Sequence, residues 1–393
     1  MLSGNKGEWA EIYIFLKVIH DGKIYAADKN MNKLENVFLN VVRVLREEIP
    51  QEEFNYFTSI TDDGFIRITK NGIEIAKRNR SEFHSHMVSL WELISRTTKG
   101  AIQSEELSAF LDSIYIHKLK APAVKTSEYF GGTQDITMEI MDYRSGVNSI
   151  VGFSCKADFE NCRATLFNAS ADNTNFKYEV YGINDGLMEE FNNIYDEKNS
   201  KTGTKKEVAI AKRMKFLKEN GCNISFHSAC GKYANRNLIL SGGVEMPAII
   251  GEMLKYDFFI RSSDVSSRSI KNAIMYIIAT DPARYSDLGL QGIDDIYKRR
   301  VSTLLYDMFT GMRLGSLWDG QSSVNGGYIV AKSDGDIVAC HSCMTDMFKD
   351  FLLSTLEFES PSCSRHKYMT IFKEEEKYYL KLNLQVRFAN KWV

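Results

Sequence analysis

The chain has 393 residues, with 49 Lys and Arg against 51 Asp and Glu, a formal net charge of −2, and 44% hydrophobic and 25% charged residues. Only 5 prolines and no long charge run exclude extensive disorder, apolar runs such as 273–279 fall far short of the roughly 20 residues a membrane helix needs, and the near-neutral balance excludes a generic polycation, leaving nucleic-acid contacts to local clusters. An odd 7 scattered cysteines fit reduced thiols, and residues 1–6 lack the apolar stretch of a secretory signal, so we expect a cytoplasmic protein of two or three structural units with no membrane partner.

Trp9, Ile12, Tyr13, Leu16 and Ile19 recur at helical spacing, with Asn5 placed to cap and Asp21-Gly22 to end a first helix. Glu8 and Glu11, three residues apart, share one face of it. Leu34, Val37, Phe38, Val41, Val44 and Leu45 predict a second helix over 33–48, closed by Pro50. Asn71-Gly72 within 65–75 predicts a hairpin, and helices follow over 80–95 and 104–115. Residues 135–142 and 150–156 read as two strands joined by a turn at Arg144-Ser-Gly146, with 176–181 as a third. The stretch 185–306 reads as mostly helical. Hairpins are then expected at 327–340, around Ser333-Asp334-Gly335, and between 368–373 and 378–388.

Side chains alternate faces along a strand. Ser154 and Lys156 therefore point one way, and Val151, Phe153 and Cys155 point into an apolar layer. An antiparallel hairpin could bring Asp135 and Lys156 to one polar edge. A carboxylate there could hold Mg²⁺, which takes hard oxygen ligands, and the ammonium could orient a water and stabilise developing negative charge. Asp142 is the rival ligand, but seven residues on it points to the opposite face unless a bulge intervenes. By pattern alone, an exposed ion pair on a sheet remains the stronger reading.

Two resemblances change that balance. The strand pair resembles the catalytic hairpin of the PD-(D/E)XK nuclease fold, with Ser154-Cys155-Lys156 in place of the usual acid-x-Lys triplet. The whole chain resembles the HpaII family of type II restriction endonucleases. The residues carrying this are Asn5-Lys-Gly-Glu-Trp-Ala-Glu11 with Lys23-Ile-Tyr-Ala-Ala-Asp28, Gln134-Asp135-Ile136, Gly152-Phe-Ser-Cys-Lys-Ala157, and Leu166-Phe-Asn-Ala-Ser170 with Thr174-Asn-Phe176. Trp318-Asp-Gly320, Gly326-Gly-Tyr-Ile-Val330, Ser360-Pro-Ser-Cys-Ser-Arg-His366 and Leu382-Asn-Leu-Gln-Val-Arg-Phe388 complete the set.

The resemblance implies an α/β protein: a PD-(D/E)XK-type core with a mixed sheet flanked by helices, then a helical segment and a β-rich C-terminal part. We draw these as 1–184, 185–306 and 307–393, the last contributing to DNA recognition. It implies a Mg²⁺-dependent endonuclease acting on double-stranded DNA at CCGG, cutting after the first C to leave 5′-phosphate ends. A cognate cytosine methyltransferase would protect host DNA. Asp135 would be the metal-binding acid and Lys156 the catalytic lysine, with Ser154 at the normally acidic position. Because a hydroxyl is a poorer ligand, a second acid is expected elsewhere: Glu11 first, as it lies further into the helix, then Glu8. Glu160, Asp172 and Glu179 do not fit the downstream spacing clearly. The alternative from another class is a DNA-binding or repair protein on the same platform, with weak or nonspecific nuclease activity.

For DNA contacts, 198–218 is the most basic stretch, eight Lys and Arg against Glu207 alone, and supplies Lys205, Lys206 and Arg213. Such phosphate contacts position a protein without reading sequence; a solvated helix face is the competing account. Base readout favours forked donors. Arg365 with His366 are the first candidates, then Asn168, Ser170 and Asn175, against turn and capping chemistry. Arg387 could equally serve a structural ion pair. A palindromic target suggests a homodimer, sequential nicking by monomers being the other route. Cys340-His-Ser-Cys343, with Cys222, Cys230 and His227, falls short of a zinc signature. Ser241-Gly-Gly243 lacks the ending of a phosphate loop.

Overall fold

The computed structural model describes the chain apart from residues 29–30, 59–63, 98–99, 121–133, 143–145, 158–164, 168–169, 171–174, 201–202, 262–267, 323–324, 342–344 and 390–393, and apart from the side chains of 142, 196–200, 203–207 and 364. It is an α/β protein in two compact units, residues 1–164 with 322–351 and 390–393, and residues 165–321 with 352–389. None of the described helices is long and apolar enough to cross a membrane.

The first unit is organised by the helix Lys6–Asp21. Asn5 and Glu8 form a reciprocal capping box at its start, and Gly22 ends it in the left-handed conformation. Trp9, Ile12, Ile14, Phe15, Leu16, Val18 and Ile19 are all buried, so the helix is enclosed rather than lying on a surface. Each large side chain among them contributes about 1.5–3 kcal/mol of burial. The helix packs on the helix Arg80–Arg96 and on the strand Val147–Ala157.

Around it runs a nine-stranded mixed sheet. Its centre is the antiparallel pair Ile136–Asp142 and Val147–Ala157. Gly327–Ala331 lies parallel to Val147–Ala157 and antiparallel to Ile337–His341, so the hairpin expected near the C-terminus adds to this sheet. The hairpin Phe65–Lys70 with Ile73–Asn79 turns at Asn71-Gly72, as its sequence predicts.

One expectation is overturned. Residues 33–48 do not form a helix; Lys33–Ile49 is a single strand. Its first half pairs with Lys23–Ala27 and its second with Ile136–Asp142 and Glu52–Phe57, folding the sheet back on itself. Val37, Val41, Val42 and Val44 are β-branched and favour the pleat. The apolar spacing fits both periods, and pairing along both edges decides between them.

The second unit holds the antiparallel sheet of Asn223–Ala229, Phe176–Tyr181, Lys377–Leu382 and Phe372–Glu374. Its helices include Ile210–Glu219, Ala234–Gly242, Met246–Lys255, Ile270–Thr280 and Ile293–Phe309. The segment 185–306 thus carries the helices expected, plus the hairpin Tyr195–Ser200 with Gly203–Val208 and one strand of the sheet. The final expected hairpin is shorter: Val386–Phe388 leaves it to pair with Leu356–Phe358 and Thr165–Phe167. Cys222 and Cys230 flank the strand Asn223–Ala229, about 26 Å apart at strand rise, too far for one zinc ion.

Candidate active site

Asp135 stands at the entrance of its strand, its N–H donating to the Phe153 carbonyl at 2.9 Å. Ile136 pairs with Phe153, which sets residue 135 beside Ser154 in the antiparallel register. The Asp135 Oδ2 accepts a hydrogen bond from the Cys155 N–H at 2.8 Å, so strand backbone fixes the carboxylate. Ser154 and Lys156 are half-buried on one face, and Phe153 and Cys155 are buried on the other. The Lys156 ammonium lies 5.9 Å from the centre of the Tyr328 ring, on the neighbouring parallel strand.

Glu11 faces this cluster from the helix. Burial, then the charge of Asp135, raises its carboxyl pKa from 4.5 to about 7; Lys120 and Lys156 act in the opposite sense, and Glu8 adds to the rise. Burial pushes the Cys155 thiol well up, and Asp135, Glu11 and Lys156 all act on it too. Asp135, Glu11 and Lys156 therefore share one neighbourhood. Glu8 is committed differently: its Oε2 accepts the Asn5 N–H at 2.8 Å in the capping box. Asp142 pairs in register with Val147 at the turn end of the hairpin, about 20 Å along the strand from Ile136.

The sequence motifs of the family resemblance include Gly152, Gly326 and Gly327 without a structural role, and leave out Asn325, yet these residues seat the hairpin. Gly152 donates its N–H to Asn325 Oδ1 at 2.9 Å, and its carbonyl accepts the Gly326 N–H at 2.8 Å. A Cβ on Gly326 would lie 2.4 Å from the Gly152 oxygen, and one on Gly327, at φ 125°, 2.1 Å from the Cys340 oxygen. The signal was a glycine pair opening a strand, beside a lone glycine within another, which marks close backbone approach.

The DNA-contact candidates lie in the second unit and divide sharply. Arg213 is corrected: it is buried, its guanidinium donates to the carbonyls of Ile194, Asn192 and Met369, and it stacks on Phe191 and Tyr195. Burial lowers its pKa, and it is an internal strut rather than a phosphate contact. His366 is buried at 9% exposure, whereas its neighbour Arg365 is exposed on the short helix Cys363–His366. The Ser170 carbonyl accepts the Asn383 amide at 2.9 Å, and the Asn175 carbonyl accepts the Cys230 N–H at 2.8 Å. Lys205 and Lys206 lie on the strand Gly203–Val208, with side chains outside the described set; Asn168, Glu160, Asp172 and Cys343 are outside it altogether. Glu179 pairs with Lys377 at 3.1 Å, and Arg387 pairs with Glu357 and Glu359.

The family model described as HpaII restriction endonuclease matches residues 5–388. The type II restriction enzyme HpaII of Haemophilus parainfluenzae is 28% identical over 386 residues, spanning 98% of each chain. No solved structure matches the chain significantly. With a family match from the first cap to the last strand, the chain belongs to the HpaII restriction endonuclease family and is a type II site-specific deoxyribonuclease.

Proposed function

We propose that this enzyme cuts double-stranded DNA at CCGG, after the first C, leaving 5′-phosphate and 3′-hydroxyl ends, on a core of the PD-(D/E)XK type. The observation that carries the reading is the anchoring of Asp135 on the Cys155 N–H, with Glu11 and Lys156 in the same neighbourhood. The curated relative's name supplies the type II restriction activity.

The donor set fits a hard divalent cation such as Mg²⁺. Glu11, whose proton affinity burial and the nearby Asp135 charge raise, is a carboxylate that a cation would relieve. Among the described residues, no group of three or more acidic, His or Cys side chains gathers as a closed cage. A two-carboxylate set suits Mg²⁺, which is commonly held by one or two carboxylates together with substrate phosphate oxygens. Asp135 and Glu11 would hold it. When bound, the cation supplies positive charge at the scissile phosphate.

The chain's own residues do the rest. Asp135 is pre-oriented, since its carboxylate is held by backbone before substrate arrives. The Lys156 ammonium orients the attacking water and offsets negative charge developing on the phosphate. Ser154, in register beside Asp135, offers a neutral hydroxyl where the fold ordinarily carries an acid. Arg365, whose exposure leaves its forked donors accessible, would read guanine, a contact worth about 1–3 kcal/mol of discrimination. A palindromic target suits two chains related by a two-fold axis, with a cognate cytosine methyltransferase shielding host sites.

The test is a digest of fully sequenced plasmid DNA with Mg²⁺, with fragment ends mapped. Discrete ends inside CCGG support the reading. Ends at another palindrome remove the target assignment, and a smear or an unbroken gel shift removes sequence-specific cutting.

A further inference from the structure

Arg46 and Glu48, near the end of the strand Lys33–Ile49, form an ion pair at 8% and 1% exposure. Removing two charges from water costs several kcal/mol per ion, and their mutual attraction alone often fails to offset it. What this pair holds is therefore informative. Arg46 donates to the carbonyls of Lys118 and, at 3.3 Å, Leu119. Glu48 Oε2 accepts the His117 N–H at 3.1 Å, and the Glu48 carbonyl accepts the Lys118 ammonium at 3.2 Å. The Arg46 guanidinium also sits 5.6 Å from the ring centre of Phe15 on the first helix. Backbone 117–119 is thus clamped on both sides.

Buried Leu119 carries the clamp to the helix start. A Cβ on Gly4 would lie 2.4 Å from Leu119 Cδ1 and 2.7 Å from Glu8 Oε2, so this side chain fills the space that Gly4 leaves open beside Glu8. Glu11 lies three residues beyond Glu8 on the same helix face. The next residue after Leu119 is Lys120, exposed and cationic. Its charge acts on the Glu11 carboxyl more strongly than that of Lys156 does.

We propose that Lys120 is a second substrate-contacting cation of the nuclease centre, taking a phosphate oxygen of the cut strand, and that the buried Arg46–Glu48 pair is the device that positions it. The role rests on the nuclease reading above. The clamp on backbone 117–119 fixes where residue 120 leaves the fold, so on meeting the phosphate the ammonium gives up chiefly side-chain freedom and little backbone freedom.

The experiment measures single-turnover cutting of a CCGG duplex with Mg²⁺, and salt-dependent binding of the same duplex without divalent cation. Variants are Lys120→Ala, Lys120→Arg, the paired replacement Arg46→Met with Glu48→Leu, and that pair combined with Lys120→Ala. We expect Lys120→Ala to cut about 10²–10³-fold more slowly and to lose about one unit of salt slope, with Lys120→Arg recovering both. The paired replacement, folded by circular dichroism, should cut as slowly as Lys120→Ala, with no further loss when the two are combined. Should it fail to fold, the salt slope and the arginine rescue still decide the contact. Lys120→Ala cutting within twofold of wild type with an unchanged slope overturns the proposal, and a fully multiplicative loss overturns the positioning role. Lys156→Ala separates the two readings. A wild type that never cuts removes the nuclease reading and this role with it, whereas loss in Lys156→Ala but not in Lys120→Ala removes only this role.

Discussion

The Asp135 carboxylate accepts a hydrogen bond at 2.8 Å from the backbone N–H of Cys155, the residue between Ser154 and Lys156. The entrance of one strand is thereby tied to its neighbour within the Ser154-Cys155-Lys156 stretch. A side chain tied to a neighbouring strand cannot drift as loops move, and the register of the hairpin becomes part of the site. Asp142, at the far end of the same strand, pairs in register with Val147, about 20 Å along the strand from Ile136. Asp135→Ala should therefore abolish cutting, and Asp142→Ala should leave it within a fewfold of wild type. Plasmid digestion, with circular dichroism on both proteins, checks this; equal loss in two folded proteins would reassign the acid.

The raised carboxyl of Glu11 links activity to stability. Its folded pKa, about 7, lies above the ordinary 4.5, so the folded chain holds the proton more tightly than the unfolded chain. Its favourable contribution is complete below pH 4.5 and is lost as pH rises through 7. In metal-free protein, Glu11→Gln should be more stable than wild type at pH 8 by roughly 1–2 kcal/mol, after discounting for solvent screening, and equal to it at pH 4. Urea unfolding at the two pH values measures this. The same variant should lose cutting, and Mg²⁺ should raise the melting temperature of wild type but not of Glu11→Gln.

Gly327 opens the strand beside Val147–Ala157 at φ 125°, with the Cys340 carbonyl where a Cβ would go. Gly327→Ala must both strain the backbone and displace a strand, so we expect a loss of about 2–4 kcal/mol in chemical denaturation. Cutting per folded molecule should fall too, because Gly326 and Asn325 hold Gly152, two residues before Ser154.

Arg213 offers a contrast between charge and burial. Its guanidinium is spent on three backbone carbonyls. Arg213→Ala should cost about 3–5 kcal/mol of stability by leaving buried acceptors unpaired. The salt dependence of DNA binding should stay unchanged, since no phosphate contact is lost.

Local signals made the first helix, its caps and the hairpin of Ile136–Asp142 with Val147–Ala157 legible. Asn5 and Asp21-Gly22 act within one turn of chain, and strand alternation puts Ser154 and Lys156 on one face, whereas the roles expected of Asp135 and Lys156 come from the family resemblance. The capping box of Asn5 and Glu8, which the structure adds to the cap expected at Asn5, sets Glu8 apart from Glu11. What escaped was decided at a distance. Residues 33–48 satisfy helical spacing, and only pairing with Lys23–Ala27, Ile136–Asp142 and Glu52–Phe57 makes them a strand. Arg213 sits in a basic stretch that suggests a surface, yet Met369, from a distant part of the chain, buries it. The hold of Arg46 on Leu119 joins segments 73 residues apart and leaves no local trace.

The account stands most directly on single-turnover cutting of an end-labelled CCGG duplex by wild type, Asp135→Ala, Lys156→Ala and the double variant. If both side chains serve one centre, each substitution alone slows cutting by at least about 10²–10³-fold, and the double variant is little slower than the worse single one. Site binding should persist in all of them. Wild-type rates in either single variant, or losses that multiply in the double one, would contradict a shared centre.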